Sequence, residues 1–169
     1  MKIESKNVGR LSCLFAITLV LAASGLLAQA DAPASEFDGV ASVALKAMQA
    51  RASELHISGV AVVAFAPGQA VTSWSSKMLV VGTMTKPPSA SSKGDNLLGI
   101  AYAKAAEMAS TLKDSGSGVR SPYTGEYGWQ GGVVAKGRTG ILIAAFSGGR
   151  SEDDVAVSKA GLEVLAKAF

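Results

Sequence analysis

Cysteine is almost missing from this chain. Cys13 is the only one, and it lies inside an apolar run near the start. A domain cut from that run has no disulfide, no thiolate metal site and no cysteine nucleophile. Histidine is equally scarce. His56 stands alone, which excludes bis-histidine ligation within one subunit and a multi-histidine zinc site. Charge is thin, at 17% of residues with a net of +3. Lys2, Glu4, Lys6 and Arg10 supply +2 of that, leaving +1 for the remainder. No basic run or stripe remains, so no nucleic-acid partner is expected. There is no G-x-G-x-x-G, no glycine loop followed by a Walker lysine and no G-x-S-x-G elbow. Nucleotide binding and triad hydrolysis are therefore not expected.

The first thirty residues read as a secretory signal. Lys2, Lys6 and Arg10 form a positive start, residues 11–27 an apolar core, and Ala28-Gln29-Ala30 a cleavage site before Asp31. Cys13 opens the apolar core rather than following it, which is the wrong place for a lipoprotein site. The expectation is a signal peptide over 1–30 and one periplasmic or secreted domain over 31–169. That domain is long enough to bury a core without staples, and it keeps no membrane segment after cleavage.

Within the domain, residues 35–55 predict a helix. Ser35 with Asp38 resembles a capping box, and Phe37, Val40, Ala44, Met48, Ala52 and Leu55 recur at helical spacing. His56 to Gly59 breaks it. Val60 to Ala66 is a continuous apolar run suited to a buried strand. Pro67-Gly68 turns the chain, residues 70–75 read as the returning strand, and residues 77–84 continue it or make a third. Residues 85–94, with Pro87-Pro88, read as a loop. Asp95 or Asn96 then caps a helix over 97–112, with Ala101, Ala105, Met108 and Leu112 on one face. Residues 113–129 form a long glycine-rich segment with Arg120, Tyr123, Tyr127 and Trp129, of the kind that serves as a lid or is ordered by a partner.

The last third closes the unit. Two apolar segments, 131–135 and 140–146, flank a Lys136-Gly137-Arg138 turn. A Ser147-Gly148-Gly149 corner then leads into an amphipathic helix, with Ser151 as N-cap and Val155, Leu162, Leu165 and Phe169 on its apolar face. Glycines before a helix are a generic anion site. Here Glu152, Asp153 and Asp154 crowd the first turn and repel an anion, so the corner reads as a packing joint. The order of elements predicts an α+β fold, an antiparallel sheet covered by helices.

Three stretches together resemble the GlcG/HbpS-like haem-binding (haem-degrading) family. They are residues 144–165 (AAFSGGRSEDDVAVSKAGLEVL), the helix 102–112 (YAKAAEMASTL), and the opening MQARASELHISGVAVVAF. Phe65 stands where the family's first strand usually ends in Asp. Gly131-Gly132-Val133-Val134 keeps the family's glycines without its Pro-Ile. The resemblance implies a profilin-like fold, haem as cofactor or another small flat ligand as partner, and a possible homo-oligomer. Any haem breakdown would be oxidative chemistry of the bound iron, with the protein binding and orienting.

Candidate site residues follow from that expectation. His56 is read as an axial iron ligand, or else as a residue that ends its helix. Tyr123 and Tyr127 are read as haem-binding, through tyrosinate or by stacking with Trp129, or else as aromatics pinning a loop. Arg120, Arg138 and Arg150 are read as partners for propionates, or else as surface charges. Met78 and Met84 read as core plugs. The competing expectation is a non-catalytic small-molecule or protein-interaction module on the same scaffold.

Overall fold

A computed structural model describes residues 32–169, with side chains from Glu36 onward. The signal segment expected over 1–30 lies outside the described residues. The elements are α1 (Ala32–Glu54), β1 (Gly59–Pro67), β2 (Ser75–Val81), β3 (Thr85–Lys86), β4 (Asp95–Asn96), α2 (Leu97–Thr111), β5 (Gly132–Lys136), β6 (Gly140–Ser147) and α3 (Ser151–Ala168). Four strands form an antiparallel sheet in the order β2-β1-β6-β5, and β3 pairs with β4 in a small separate ribbon.

The two central strands read as unbroken apolar runs because both faces of the sheet are covered. Alternate residues of β1 and β6 face opposite ways. Ala61, Val63, Phe65, Leu142, Ala144 and Phe146 pack with α1 and α3. Val60, Val62, Ala64, Ile141, Ile143 and Ala145 pack with α2. The result is the expected α+β class, with an antiparallel sheet covered by helices, and its layering is compatible with a profilin-like fold. Ala101 and Ala105 are fully buried and let α2 lie close to the small residues beneath it.

Several local expectations change. α1 begins at Ala32, so Ser35 lies inside the helix and not at its cap. The returning strand is Ser75–Val81 and not 70–75, because residues 70–74 are spent on the wide turn after Pro67. Thr85 and Lys86 leave the expected loop to pair with Asn96 and Asp95. Asn96 is the cap of α2, accepting from the Gly99 N–H at 3.0 Å. Leu112 falls outside the helix in a left-handed conformation and is 37% exposed, so it is no core residue. The N-cap of α3 is Arg150, with no side-chain cap, and Ser151 is its first helical residue.

The end of α1 explains His56. Its N–H bonds the Ser53 carbonyl and the Ile57 N–H bonds the Ala52 carbonyl, at 3.1 and 3.0 Å. Those two bonds are a Schellman stop with His56 in the left-handed position, at φ 55°. Glycine takes that position without steric cost, whereas an L side chain there costs about 1–2 kcal/mol.

Phe37, Phe65 and Phe169 form the outer end of the α1/α3 core. The Phe65 and Phe169 rings stack at 4.5 Å, and Phe37 lies 6.4 Å from each. The Phe169 carbonyl accepts from the N–H groups of Arg138 and Thr139, tying the end of α3 to the β5–β6 turn.

Two outcomes follow for stability. Phe65→Ala is expected to cost about 3–5 kcal/mol in chemical denaturation; a loss below about 1 kcal/mol would contradict this packing. His56→Gly is expected to raise stability by about 0.4–1 kcal/mol, and a destabilised variant would show that the His56 side chain outweighs its backbone strain.

Candidate functional site

The glycine-rich segment after α2 is pinned, not loose. Ser115 and Gly132 exchange two bonds, at 3.2 and 2.8 Å. The Gly116 N–H donates to the buried Glu107 carboxylate at 2.9 Å. The Val134 N–H donates to Asp114 at 2.9 Å. Turns at Gly116, Gly118, Gly125 and Gly128 all use positive φ, which is why glycine is dense here.

Arg120 is the hub of this segment. Its guanidinium grips Glu126 through two bonds of 2.6 and 2.8 Å, reaches Ser110 on α2 at 2.8 Å, and donates to the Ser121 carbonyl. Its centre lies 3.8 Å from the middle of the Tyr123 ring, a cation–π contact. Glu126 also accepts from the Tyr123 N–H at 2.8 Å. The bond from Arg120, followed by that backbone N–H, lowers the Glu126 carboxyl from 4.5 to about 2. The Arg120 guanidinium is correspondingly raised, chiefly by Glu126. An arginine fork filled in this way is committed to its carboxylate, so Arg120 holds the loop before it holds any ligand.

The structure brings Arg120 and Tyr123 together, and sets Tyr127 against Trp129 with ring centres 4.8 Å apart. Tyr123, Tyr127 and Trp129 are all about half exposed or more. His56 is not brought to them. It is exposed in the α1–β1 turn, where Ile57 packs into the α1/α3 core, while Arg120 bonds the α2 side. Among the described residues, no cluster of three or more His, Cys, Asp or Glu could hold a metal ion. No described helix is long and apolar enough to cross a membrane. Arg138 donates to the Ala168 carbonyl, and Arg150 pairs with Asp153 and Glu152.

Two open clefts run along the outer side of α2 and share Ser110. One, of about 390 Å³, is lined by Val71, Thr72, Ser73, Trp74, Ala106 and Ala109. The other, of about 340 Å³, is lined by Thr111, Val119, Arg120 and Tyr123. An indole lines the first cleft, and a phenol beneath a guanidinium lines the second.

A second constellation went unread in the sequence. Lys104 of α2 is 3% exposed, and its ammonium bonds the Asp154 carboxylate and the Phe146 carbonyl, each at 2.8 Å. Burial pulls the lysine below its ordinary value and Asp154 opposes that shift. The other Asp154 oxygen accepts from the Gly149 N–H at 2.7 Å. Asp154 therefore turns inward to the corner and does not stand with Glu152 and Asp153 as a solvent-facing repeller. The signal was available: Lys104 interrupts the Ala101, Ala105, Met108 stripe at helical spacing. The corner itself is a packing joint as expected. A Cβ on Gly148 would lie 2.0 Å from the Ser58 carbonyl oxygen.

Compared with protein-family models, curated proteins and solved structures, the chain matches none of them. What the fold and the site define is a helix-covered antiparallel sheet with two open clefts beside α2.

Two predictions test the site. The Arg120–Glu126 bond contributes stability above the ordinary carboxylate range, and that contribution fades as pH falls from about 4.5 toward about 2. The protection of amides in residues 115–131, relative to their intrinsic exchange at each pH, is expected to fall over that window, and Glu126→Gln is expected to lower it already at pH 7; protection that does not change would contradict the clamp. Lys104→Met leaves a buried carboxylate unpaired and is expected to cost about 3–5 kcal/mol. Adding Asp154→Asn should recover part of that loss, whereas simple additivity of the two would show that the pair is not coupled.

Proposed function

We propose that this protein is a non-catalytic binding module for a flat, carboxylate-bearing aromatic ligand, with haem as the ligand its family resemblance points to. One observation carries the reading, the pair of open clefts that meet at Ser110 of α2, one bordered by Trp74 and the other by Tyr123. Each cleft, at about 390 and 340 Å³, is of a size that suits a small ligand, since such sites run to about 300–1,000 Å³. Val71, Ala106 and Ala109 offer apolar contact, and Trp74 offers a face for stacking.

The residues fit haem in part. Tyr123 is the candidate ligand at its cleft, since a phenolate can hold ferric iron. His56 stands in the α1–β1 turn and has no place in this reading. Arg120 would reach a propionate only by sharing its fork with Glu126. Bound iron would supply any redox chemistry, and the chain would contribute the seat.

Hemin titration followed by its Soret band tests the proposal. The expectation is a saturable shift, weakened several-fold by Trp74→Ala and altered in position by Tyr123→Phe, with His56→Ala unchanged. A featureless titration would sink the haem reading. A shift abolished by His56→Ala and untouched by the cleft variants would move the ligand to the other layer.

A further inference from the structure

A third, smaller cleft lies at the end of the sheet away from the cleft bordered by Trp74. It measures about 120 Å³ and is lined by polar atoms more than apolar ones. Its wall includes Lys104, Ser147, Gly149, Ser151, Lys86 and Trp129. Leu97 and Ser151, the first residues of α2 and α3, both border it, so the positive ends of two helices converge there.

The decisive group is Ser147. It is 4% exposed, and its hydroxyl has no hydrogen-bond partner among the described residues. It follows Ile141, Ile143 and Ala145 on the face of β6 turned to α2. That alternation aims it at Lys104, into the cleft. A buried hydroxyl left without a partner is uncommon. Here the atom stays open to the cleft, since none of the fully buried polar side-chain atoms lacks a partner.

The donors and acceptors of the wall do not balance. An ammonium carries three N–H donors, and Lys104 spends two, on Asp154 and the Phe146 carbonyl. Both Asp154 oxygens are taken, by Lys104 and by the Gly149 N–H. Asp95 sits opposite Lys86 across the β3–β4 ribbon, so those two charges offset each other. The acids in the first turn of α3 each have a cation partner, Asp154 in Lys104 and Glu152 and Asp153 in Arg150, so what remains unspent is one Lys104 N–H and the Ser147 O–H.

The geometry points to a binding site for a small carboxylate of two to four carbons, with its head group accepting from Lys104 and Ser147 and its short tail beneath Trp129. The size fits, since a single water needs only about 10–15 Å³ of cavity space and the cleft offers about 120 Å³. The lining carries as many carboxylates as ammoniums, so it accepts a monoanion through its free donors and disfavours a dianion. Asp154 and Asp95 flank the cleft, and a phosphate dianion would set its second charge against them. This site is separate from the two clefts of the haem reading and stands or falls independently of them.

Amide and indole NMR shifts during a sodium acetate titration test the proposal, with sodium chloride at matched ionic strength, acetamide as a neutral isostere and inorganic phosphate as a dianion. Acetate is expected to give saturable shifts at Gly149, Ser151 and the Trp129 indole, with acetamide and chloride inert there. Ser147→Ala removes one bond to a charged group and is expected to weaken acetate about tenfold or more. It removes only a hydroxyl that supports nothing else, so an unchanged circular dichroism spectrum accompanies that loss. Acetate shifts no larger than those of chloride, equal binding by Ser147→Ala, or phosphate binding more tightly than acetate would each overturn the assignment.

Discussion

The buried pair of Lys104 and Asp154 is the constraint on which the two halves of this fold depend. α2 covers one face of the sheet and α3 the other, so a bond between them must pass around the sheet rather than through it. It passes at Gly131, where a Cβ would come within 2.2 Å of the Lys104 nitrogen and 2.8 Å of the Asp154 Cβ. The bond also fixes what surrounds it. Lys104 holds the Phe146 carbonyl, Asp154 holds the Gly149 N–H, and the nearby Ser158 hydroxyl holds the Gly131 carbonyl at 2.7 Å. A charge pair taken out of water stabilises only when its remaining hydrogen-bonding capacity is met. Here backbone groups meet nearly all of it.

The pair and the arginine clamp divide the work of ordering the segment between α2 and β5. Lys104 and Asp154 anchor its far end at Gly131. Arg120 and Glu126 fold its middle, at a partly exposed site where the bond is worth less. The aromatic residues are then carried on a braced loop, which is why Tyr123 and Trp129 can remain exposed without a core of their own. Tyr123 borders one of the open clefts and Trp129 the small polar one, so one braced segment borders two sites of different chemistry.

The residues read from the sequence as a haem site are not all brought to one place. Arg120 and Tyr123 border one cleft. Tyr127 is spent on Trp129, and His56 on stopping α1. The His56 reading turned on a backbone fact that no side-chain chemistry announces: the residue ending this helix needs a positive φ, and histidine happens to stand there where glycine is usual. The expected lid is likewise a structure held by its own hydrogen bonds.

The sequence by itself determined the class of the fold. Unbroken apolar runs in β1 and β6, helical spacing in α1 and α2, and the Pro67-Gly68 and Lys136-Gly137-Arg138 turns are local patterns, and local patterns suffice for local structure. It also showed the Ser147-Gly148-Gly149 corner as a joint, since only glycine permits that approach of β6 to the start of β1. What tertiary structure decided was every pairing across long separation. Lys104 and Asp154 lie fifty residues apart, and Ser110 joins Arg120 only once the segment has turned back. The direction of a side chain in the last helix cannot be read from its charge. Asp154 looks like its neighbours Glu152 and Asp153 in sequence, and only burial beside a lysine from the opposite layer makes it the centre of the molecule.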